Sequence, residues 1–313
     1  MNIIGKGSLI LKTMDTRAEI KKSNSRGFTL IELLVVISII GVISSVALVN
    51  MGGARQSAEM AQSKTFASGI QQKIGIDLIG AWDLDEGLGT VAKDTSGMNN
   101  NGTLTNSPAW VAATNCVTDE CLSFDGVDDY VRINAALSLS SIHGPSTLEV
   151  WFKPSALPAG NKMIFSDNCL EWGVYHNGTT LYGQAYWAVN GGTIDVNKWY
   201  HVVVAHDHPT GITNTKVRLY INGKPRGENT GTITTHNGYT DSPYYIGADG
   251  CTAGTNFSGL IDSVRIYSTA LNLTAVRDRY LAGMDSLLKS RQLTETEYRE
   301  RLAELDPSRA INK

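Results

Sequence analysis

The feature that most limits what this chain can become is an uncharged run. Between Glu32 and Arg55 no position carries a charge, and residues 28–54 read FTLIELLVVISIIGVISSVALVNMGGA. A helix rises about 1.5 Å per residue and the hydrocarbon core of a bilayer is about 30 Å thick, so roughly 20 such residues span it. Lys21, Lys22 and Arg26 precede the run, whereas Arg55 and Lys64 follow only at a distance. The positive-inside bias keeps the N-terminal side cytoplasmic and places everything after the run outside. Apolar positions recurring at Met51, Ala54, Ala58, Ala61, Phe66, Ile70 and Ile74 extend the expected helix to about Ile76, with a bend at Gly52 and Gly53. One residue conflicts with a plain anchor. Glu32 lies inside the apolar stretch, where an unpaired carboxylate costs about 2.5–3.5 kcal/mol near the bilayer centre and less near the interface. It needs either headgroup water or a cationic partner.

The residues around it are Ser25-Arg26-Gly27-Phe28-Thr29-Leu30-Ile31-Glu32-Leu33-Leu34-Val35, a string that closely resembles the N-terminal motif of the type IV pilin and pseudopilin family. The resemblance implies that a prepilin peptidase cuts after Gly27 and methylates the new terminal residue, Phe28. It also implies a role for Glu32, whose carboxylate neutralises the Phe28 ammonium of a neighbouring subunit and sets the register of assembly. An ordinary secretory signal is cut after its apolar run, so a site before the run means that the span is retained. Residues 1–27 form the leader, long for such a family, with Met14 as an alternative start.

Composition changes near Gly80. All six Trp, all six His and all four Cys lie between residues 80 and 270, a stretch that is also acidic, whereas residues 1–27 are basic. The whole chain is 42% hydrophobic, 18% charged and carries a net charge of −3, which supports a packed core and gives no basic field for nucleic acid. Short β-rich runs recur over Leu122–Phe124, Tyr130–Ile133, Thr147–Lys153, Met163–Ser166, Glu171–Tyr175, Leu181–Trp187, Tyr200–Ala205, Lys216–Ile221, Tyr244–Ile246 and Leu260–Tyr267. Asn177-Gly178 and Asn222-Gly223 are hairpin signals, because a type I′ turn needs positive φ at both central positions. Many antiparallel strands in about 190 residues predict a two-sheet sandwich.

Four phrases sharpen this reading: Ala81-Trp82-Asp83-Leu84-Asp85-Glu86-Gly87 with Asp94-Thr95-Ser96-Gly97, then Leu122-Ser123-Phe124-Asp125-Gly126-Val127-Asp128-Asp129-Tyr130-Val131, then Trp199-Tyr200-His201-Val202, then Gly259-Leu260-Ile261-Asp262-Ser263-Val264-Arg265-Ile266-Tyr267. Together they resemble the laminin-G-like jelly roll of the concanavalin A-like lectin/glucanase superfamily. The expected fold is mainly β: an antiparallel jelly-roll β-sandwich preceded by one long N-terminal transmembrane α-helix and followed by a C-terminal helical hairpin. The expected organisation is leader 1–27, pilin-like helix 28–79, jelly roll 80–270 and helical tail 271–313. Ala275–Leu288 and Glu295–Leu305 read as the two tail helices, the second capped by Thr294 with Glu297 three residues on, and Leu287 to Leu302 resembles a SHOCT helical tail.

Candidate chemistry follows from residue types. Four cysteines in an exported domain favour disulfides. Of the three connectivities, the expected one pairs Cys116 with Cys121 and Cys169 with Cys251. Glycoside hydrolysis needs two facing carboxylates, but Asp83-Leu84-Asp85-Glu86 precedes a Gly-rich loop and the strand TLEVWFKP offers only Glu149, so no enzyme is expected. His201, His206 and His208 form the alternative metal set. A structural calcium ion is the candidate cofactor, because Asp94, Asp125, Asp128, Asp129 and Asp262 lie at turns or strand ends and offer hard oxygen donors, with Asp94 and Asp262 the better pair. Trp110, Tyr186, Trp187 and Tyr239 are candidates for contact with a glycan or a surface protein. The function so expected is a pilin-like filament or pseudopilus subunit. It is processed by a prepilin peptidase, assembled with other pilins in the membrane and displays a lectin-like head. The alternative is a membrane-tethered extracellular glycan-active enzyme.

Overall fold

The structure is a computed structural model that describes residues 30–31, 33–40, 78–134, 144–167, 169, 172–207, 214–232 and 243–305. Contacts divide the chain into two units, Met1–Ser68 and Gly69–Lys313. In the first unit, residues 30–31 and 33–40 are helical and every one of them is exposed, including Leu30, Ile31, Leu33, Leu34, Val35, Val36 and Ile37. A helix that is apolar on all sides is suited to lipid, where no face has to meet water. Among the described residues no helix is long and apolar enough to cross a membrane. The rest of the expected span, with Gly27, Phe28, Glu32 and the extension to Ile76, lies outside the described residues.

The second unit is a sandwich of two antiparallel sheets. Sheet A runs in the order β14 (Lys224–Gly231), β13 (Thr215–Ile221), β12 (Tyr200–Asp207), β7 (Ser146–Pro154), β16 (Ser258–Tyr267), β5 (Cys121–Asp125) and β4 (Ala109–Val111). β1 (Leu78–Trp82) also pairs with β16, so the strand starts two residues inside the stretch assigned to the N-terminal helix. Sheet B runs β11 (Trp187–Thr193), β10 (Thr180–Ala185), β9 (Trp172–Asn177), β8 (Asn161–Ser166), β15 (Tyr244–Ile246), β6 (Tyr130–Ile133), β3 (Gly102–Thr105) and β2 (Val91–Ala92). Successive side chains of a strand point to opposite faces, so Leu148, Val150 and Phe152 of β7 meet Val174 and Leu181 of sheet B in the main core. Gly183 has no side chain because Val204 and Leu219 of sheet A fill that space.

Turn chemistry explains the hairpins. Asn222 and Gly223 have φ of 51° and 71° and join β13 to β14 as a two-residue type I′ turn. The other hairpin shifts by one residue. Asn177 pairs with Thr180, so the central positions are Gly178 and Thr179, and Asn177 instead accepts a hydrogen bond from the Gly160 amide.

The C-terminal residues are part of this unit. α1 (Leu273–Lys289) and α2 (Glu295–Leu305) lie on the outer face of sheet A and do not stand off as a solvated tail. Val276, Tyr280, Met284 and Leu287 recur at helical spacing and are the buried face of α1. At roughly 2 kcal/mol for each large apolar side chain removed from water, this face outweighs the cost of docking one helix. Tyr280, Met284 and Leu287 join Trp151, Trp199 and the Cys116–Cys121 bridge in a second cluster, and Tyr280 stacks on Trp151 at 5.8 Å. Gly283 permits this approach, since a Cβ there would fall inside the Trp151 indole. α2 is opened by a capping box in which the Glu297 amide donates to Thr294 Oγ1 and the Thr294 amide donates to Glu297.

Of the two disulfides, Cys116–Cys121 ties a loop to β5 and Cys169–Cys251 ties the β8–β9 loop to the β15–β16 loop. Cys116 and Cys121 have Cα atoms 5.7 Å apart and both are buried; Cys169 and Cys251 are 5.0 Å apart, and Cys251 is exposed. Mild reductant should therefore open Cys169–Cys251 first. That bridge closes the longer loop, with a sequence separation of 82 against 5, so its loss should cost the more, about 4 kcal/mol in the chain-entropy account. Timed alkylation with mass analysis, followed by thermal melting, tests this; equal reduction rates would refute it.

Candidate functional site

The expected calcium pair is not assembled. Asp94 Oδ1 accepts from the amides of Ala81 and Ser96 at 3.0 and 2.9 Å, and its Oδ2 accepts from the Asn100 amide at 2.8 Å. Asp262 is fully buried; its Oδ2 accepts from the amides of Val117 and Thr118, and its Oδ1 from the hydroxyls of Thr118 and Ser263. N–H and O–H donors thus occupy the lone pairs a cation would use. Asp262 does lie within 4.8 Å of Cys116 and Cys121, but those sulfurs are joined in a disulfide and offer no thiolate.

The carboxylates that do converge are Asp125, Asp128 and Asp129, whose oxygens lie within 4.8 Å of one another. Asp125 Oδ1 accepts from the Val127 amide at 2.7 Å, and Asp129 Oδ2 accepts from the Asp125 amide at 3.0 Å. Gly126 makes the turn, with φ of 82° and the Ser258 side chain where its Cβ would be. Burial, then the charges of Asp125 and Asp128, push the Asp129 carboxyl up despite that amide. Three carboxylates in one turn are an oxygen set suited to a divalent cation such as calcium.

The histidine set is also dispersed. His201 faces the outer side of sheet A, where its Nε2 donates to Glu149 Oε1 at 3.0 Å. His206 lies five residues along the same strand and so on the other face, and His208 is outside the described residues. Glu149 itself is buried and receives Tyr267 Oη at 3.0 Å and Arg279 Nη1 at 3.4 Å. Burial would raise its carboxyl, but Arg279 and then His201 hold it down at about 2. It is a buried structural ion under α1.

Of the expected aromatics, Trp110 donates to the Gly89 carbonyl and packs on the core, as does Trp187; Tyr186 sits at the β10–β11 turn with φ of 63°; Tyr239 is outside the described residues. The outer face of sheet B supplies others. Tyr175 and Tyr182 are register partners with rings stacked at 5.0 Å, and Tyr130 meets Tyr245 edge to face at 5.7 Å. One continuous row crosses this face: Arg132, Tyr245, Ser166, Gly173 and Gln184 are successive register partners. Ser166 is fully buried, so the groups this face offers a polyhydroxylated ligand are the tyrosine rings, the Gln184 amide and the Arg132 guanidinium. Alternation in the sequence marks these positions as outward, but register decides which of them become neighbours.

One carboxylate pair was not singled out for chemistry beforehand. Thr118 Oγ1 lies 3.1 Å from Asp85 Oδ1 and 3.0 Å from Asp262 Oδ1. A hydroxyl carries one proton, so it donates to only one of the two carboxylates, and a proton on either carboxyl lets the other contact become a hydrogen bond as well. Asp262 already receives two amides and the Ser263 hydroxyl, Asp85 Oδ1 receives the Glu120 amide at 3.2 Å, and burial pushes the Asp262 carboxyl up to about 6. Burial first, then the charge of Asp262, push the Asp85 carboxyl up to about 7.

Two family models match parts of this chain. The family model of the prokaryotic N-terminal methylation motif matches residues 22–48, and that of the concanavalin A-like lectin/glucanases superfamily matches residues 125–277. A comparison with curated proteins gives no match. Among solved structures, a mutant Trypanosoma rangeli sialidase displaying trans-sialidase activity is similar at a TM-score of 0.53 and 18% identity, over 68% of this chain and 34% of that one. The binding domain of Paraclostridial Mosquitocidal Protein 1 is similar at 0.52 and 15%, over 68% and 53%. Domain 4 of an extracellular arabinanase from Geobacillus stearothermophilus is similar at 0.49 and 20%, over 64% and 97%. This chain thus spans about a third of the sialidase and half of the mosquitocidal binding domain, and the likeness is one of fold. It corrects one expectation. Enzyme chains carry this sandwich, so the exclusion of enzymatic activity drawn from the sequence does not stand.

The Asp85 geometry has a measurable outcome. Its folded pKa, about 7, lies above the ordinary 3.8, so the folded state binds the extra proton between those values and loses stability as pH rises through that window. In Asp85→Asn the side-chain amide replaces the carboxyl and cannot ionise. The variant should be flatter from pH 4 to 7 and more stable than the parent at pH 8, by about 1–2 kcal/mol after allowance for the water that reaches this half-buried group. Urea unfolding at several pH values tests it, and parallel curves for the two proteins would refute it.

Proposed function

We propose that this chain is a pilin-type subunit of a surface filament or secretion pseudopilus that displays a carbohydrate-binding sandwich outside the membrane. The observation that carries the reading is the union of two modules in one chain: the methylation motif over residues 22–48 and the concanavalin A-like domain over residues 125–277. A prepilin peptidase cuts between Gly27 and Phe28 and methylates Phe28. The apolar helix then holds the subunit in the membrane, and Glu32 pairs with the Phe28 ammonium of the next subunit as the filament grows. The pairing is favoured because low dielectric strengthens the attraction and each charge is costly alone.

In the head, the helices cover the central outer face of sheet A, and the outer face of sheet B offers a broad surface for carbohydrate contact, where Tyr182 and Tyr245 present rings and Arg132 and Gln184 present polar groups. The Asp125–Asp128–Asp129 turn is the place for a structural calcium ion. A glycan array with the processed chain in detergent tests the head. Binding confined to proteins, with no saccharide retained, would refute a carbohydrate ligand.

The anchor has its own test. Glu32→Val removes a carboxylate that opposes insertion, so the variant should reach the membrane and be cut after Gly27 as well as the parent. Incorporation into sheared filaments should fall at least about tenfold, since the pairing with Phe28 is lost. Mass analysis of the processed N-terminus and filament yield are the readouts; full incorporation would show that Glu32 has no part in assembly.

A further inference from the structure

At the far edge of sheet A the β13–β14 hairpin carries a shallow hollow, open to solvent, of about 300 Å³ lined by Arg218, Tyr220, Pro225, Arg226, Gly227 and Glu228. Its shape comes from an irregularity in pairing. Leu219 faces Gly227 and Tyr220 faces Pro225, so Arg226 is the extra residue of a β-bulge. Bulges re-aim a side chain that regular pairing would fix, and Pro225 is tolerated on this edge strand because no neighbour needs its missing N–H. The floor is rigid: Tyr220 is wedged against Val203, Ala205, Leu271 and Val276. The rim is held at the turn by Lys224, which pairs with Glu304 of α2.

The charges lining the hollow are unequal. Glu228 receives Arg218 Nε at 2.8 Å and Lys216 at 3.3 Å, and Arg218 also reaches Asp207 at 3.5 Å. These groups largely satisfy one another. Arg226 is exposed and has no ion pair or hydrogen bond among the described residues. The hollow therefore offers one open guanidinium fork beside an apolar proline, a tyrosine and a carboxylate that can still accept a hydroxyl. A guanidinium matches a carboxylate bidentately, and a ring with both apolar and hydroxyl-bearing faces matches the remainder.

We infer that this hollow binds an acidic saccharide, with Arg226 taking the sugar carboxylate, Glu228 accepting a ring hydroxyl, and Tyr220 and Pro225 meeting the apolar face of the sugar. The site is separate from the tyrosine face of sheet B, and it extends the carbohydrate-binding reading given above, on which it rests.

The test uses the full chain in detergent and two probes of equal length, an oligomer of galacturonic acid and the corresponding neutral oligomer of galactose, titrated by calorimetry. Arg226→Ser, an exposed change that should leave the melting temperature in place, is compared with Tyr182→Ala on sheet B. The expected result is binding of the acidic oligomer that weakens at least tenfold in Arg226→Ser, weakens as salt is raised, and persists in Tyr182→Ala. Equal acidic binding by the parent and Arg226→Ser, or loss only in Tyr182→Ala, would overturn the hollow and leave the head a carbohydrate binder. A preference for the neutral oligomer would overturn the assigned class. Failure to bind either oligomer, together with an empty glycan array, would overturn both readings.

Discussion

The Glu149 carboxylate is the interaction on which the packing of this head depends. It lies at the middle of β7 and is buried, and three other elements reach it: His201 from β12, Tyr267 from β16 and Arg279 from α1. An isolated carboxylate at that position would be very costly, whereas one that is paired and hydrogen-bonded is tolerated. The ion therefore makes the docking of α1 and the pairing of the central strands one event. Around it the apolar residues complete the arrangement, with Trp151 between the His201 ring at 4.9 Å and Tyr280 at 5.8 Å, and Arg279 over the Tyr267 ring at 4.6 Å.

This dependence gives the two faces of the sandwich different parts. Sheet A has its central outer surface committed to holding α1 and α2, while its β13–β14 margin keeps a hollow of its own. Sheet B has no helix among the described residues, and its outward positions carry tyrosines and polar groups in rows set by strand register. The sequence of β7 already contains the distinction. STLEVWFKP alternates between Leu148, Val150 and Phe152 on one side and Thr147, Glu149 and Trp151 on the other, yet almost every residue is buried because both sides are covered.

What could be read beforehand was local. The Asn222-Gly223 turn and the Thr294 to Glu297 capping box need only neighbouring residues, and both stand where local chemistry puts them. β1 to β4 were harder, because strands of two to five residues between Gly- and Asn-rich loops carry too few alternations to register a period. The candidate sites were legible only as residue types. An Asp at a turn is equally fit to accept backbone amides and to bind a cation, and Asp94 and Asp262 do the first. Tyr175 and Tyr182 meet because of register, Arg226 is freed by a bulge, and the Asp85–Thr118–Asp262 chain joins residues far apart in sequence. None of these leaves a trace in periodicity.

The pairing of β1 with β16 has a mechanical consequence. β1 is the first strand among the described residues, so a force that arrives at Leu78 is carried first by the short ladder from Leu78–Tyr267 to Trp82–Val264. Its far end is well secured: the Trp82 indole is fully buried and donates to the Asn100 carbonyl, and Asp83 next to it is bound by Arg265 of β16. β16 in turn runs through the centre of sheet A, between β7 and β5. A pull that enters at Leu78 is thus handed from β1 to β16 and on to β7 and β5, strands held by neighbours on both sides, before it reaches a loop.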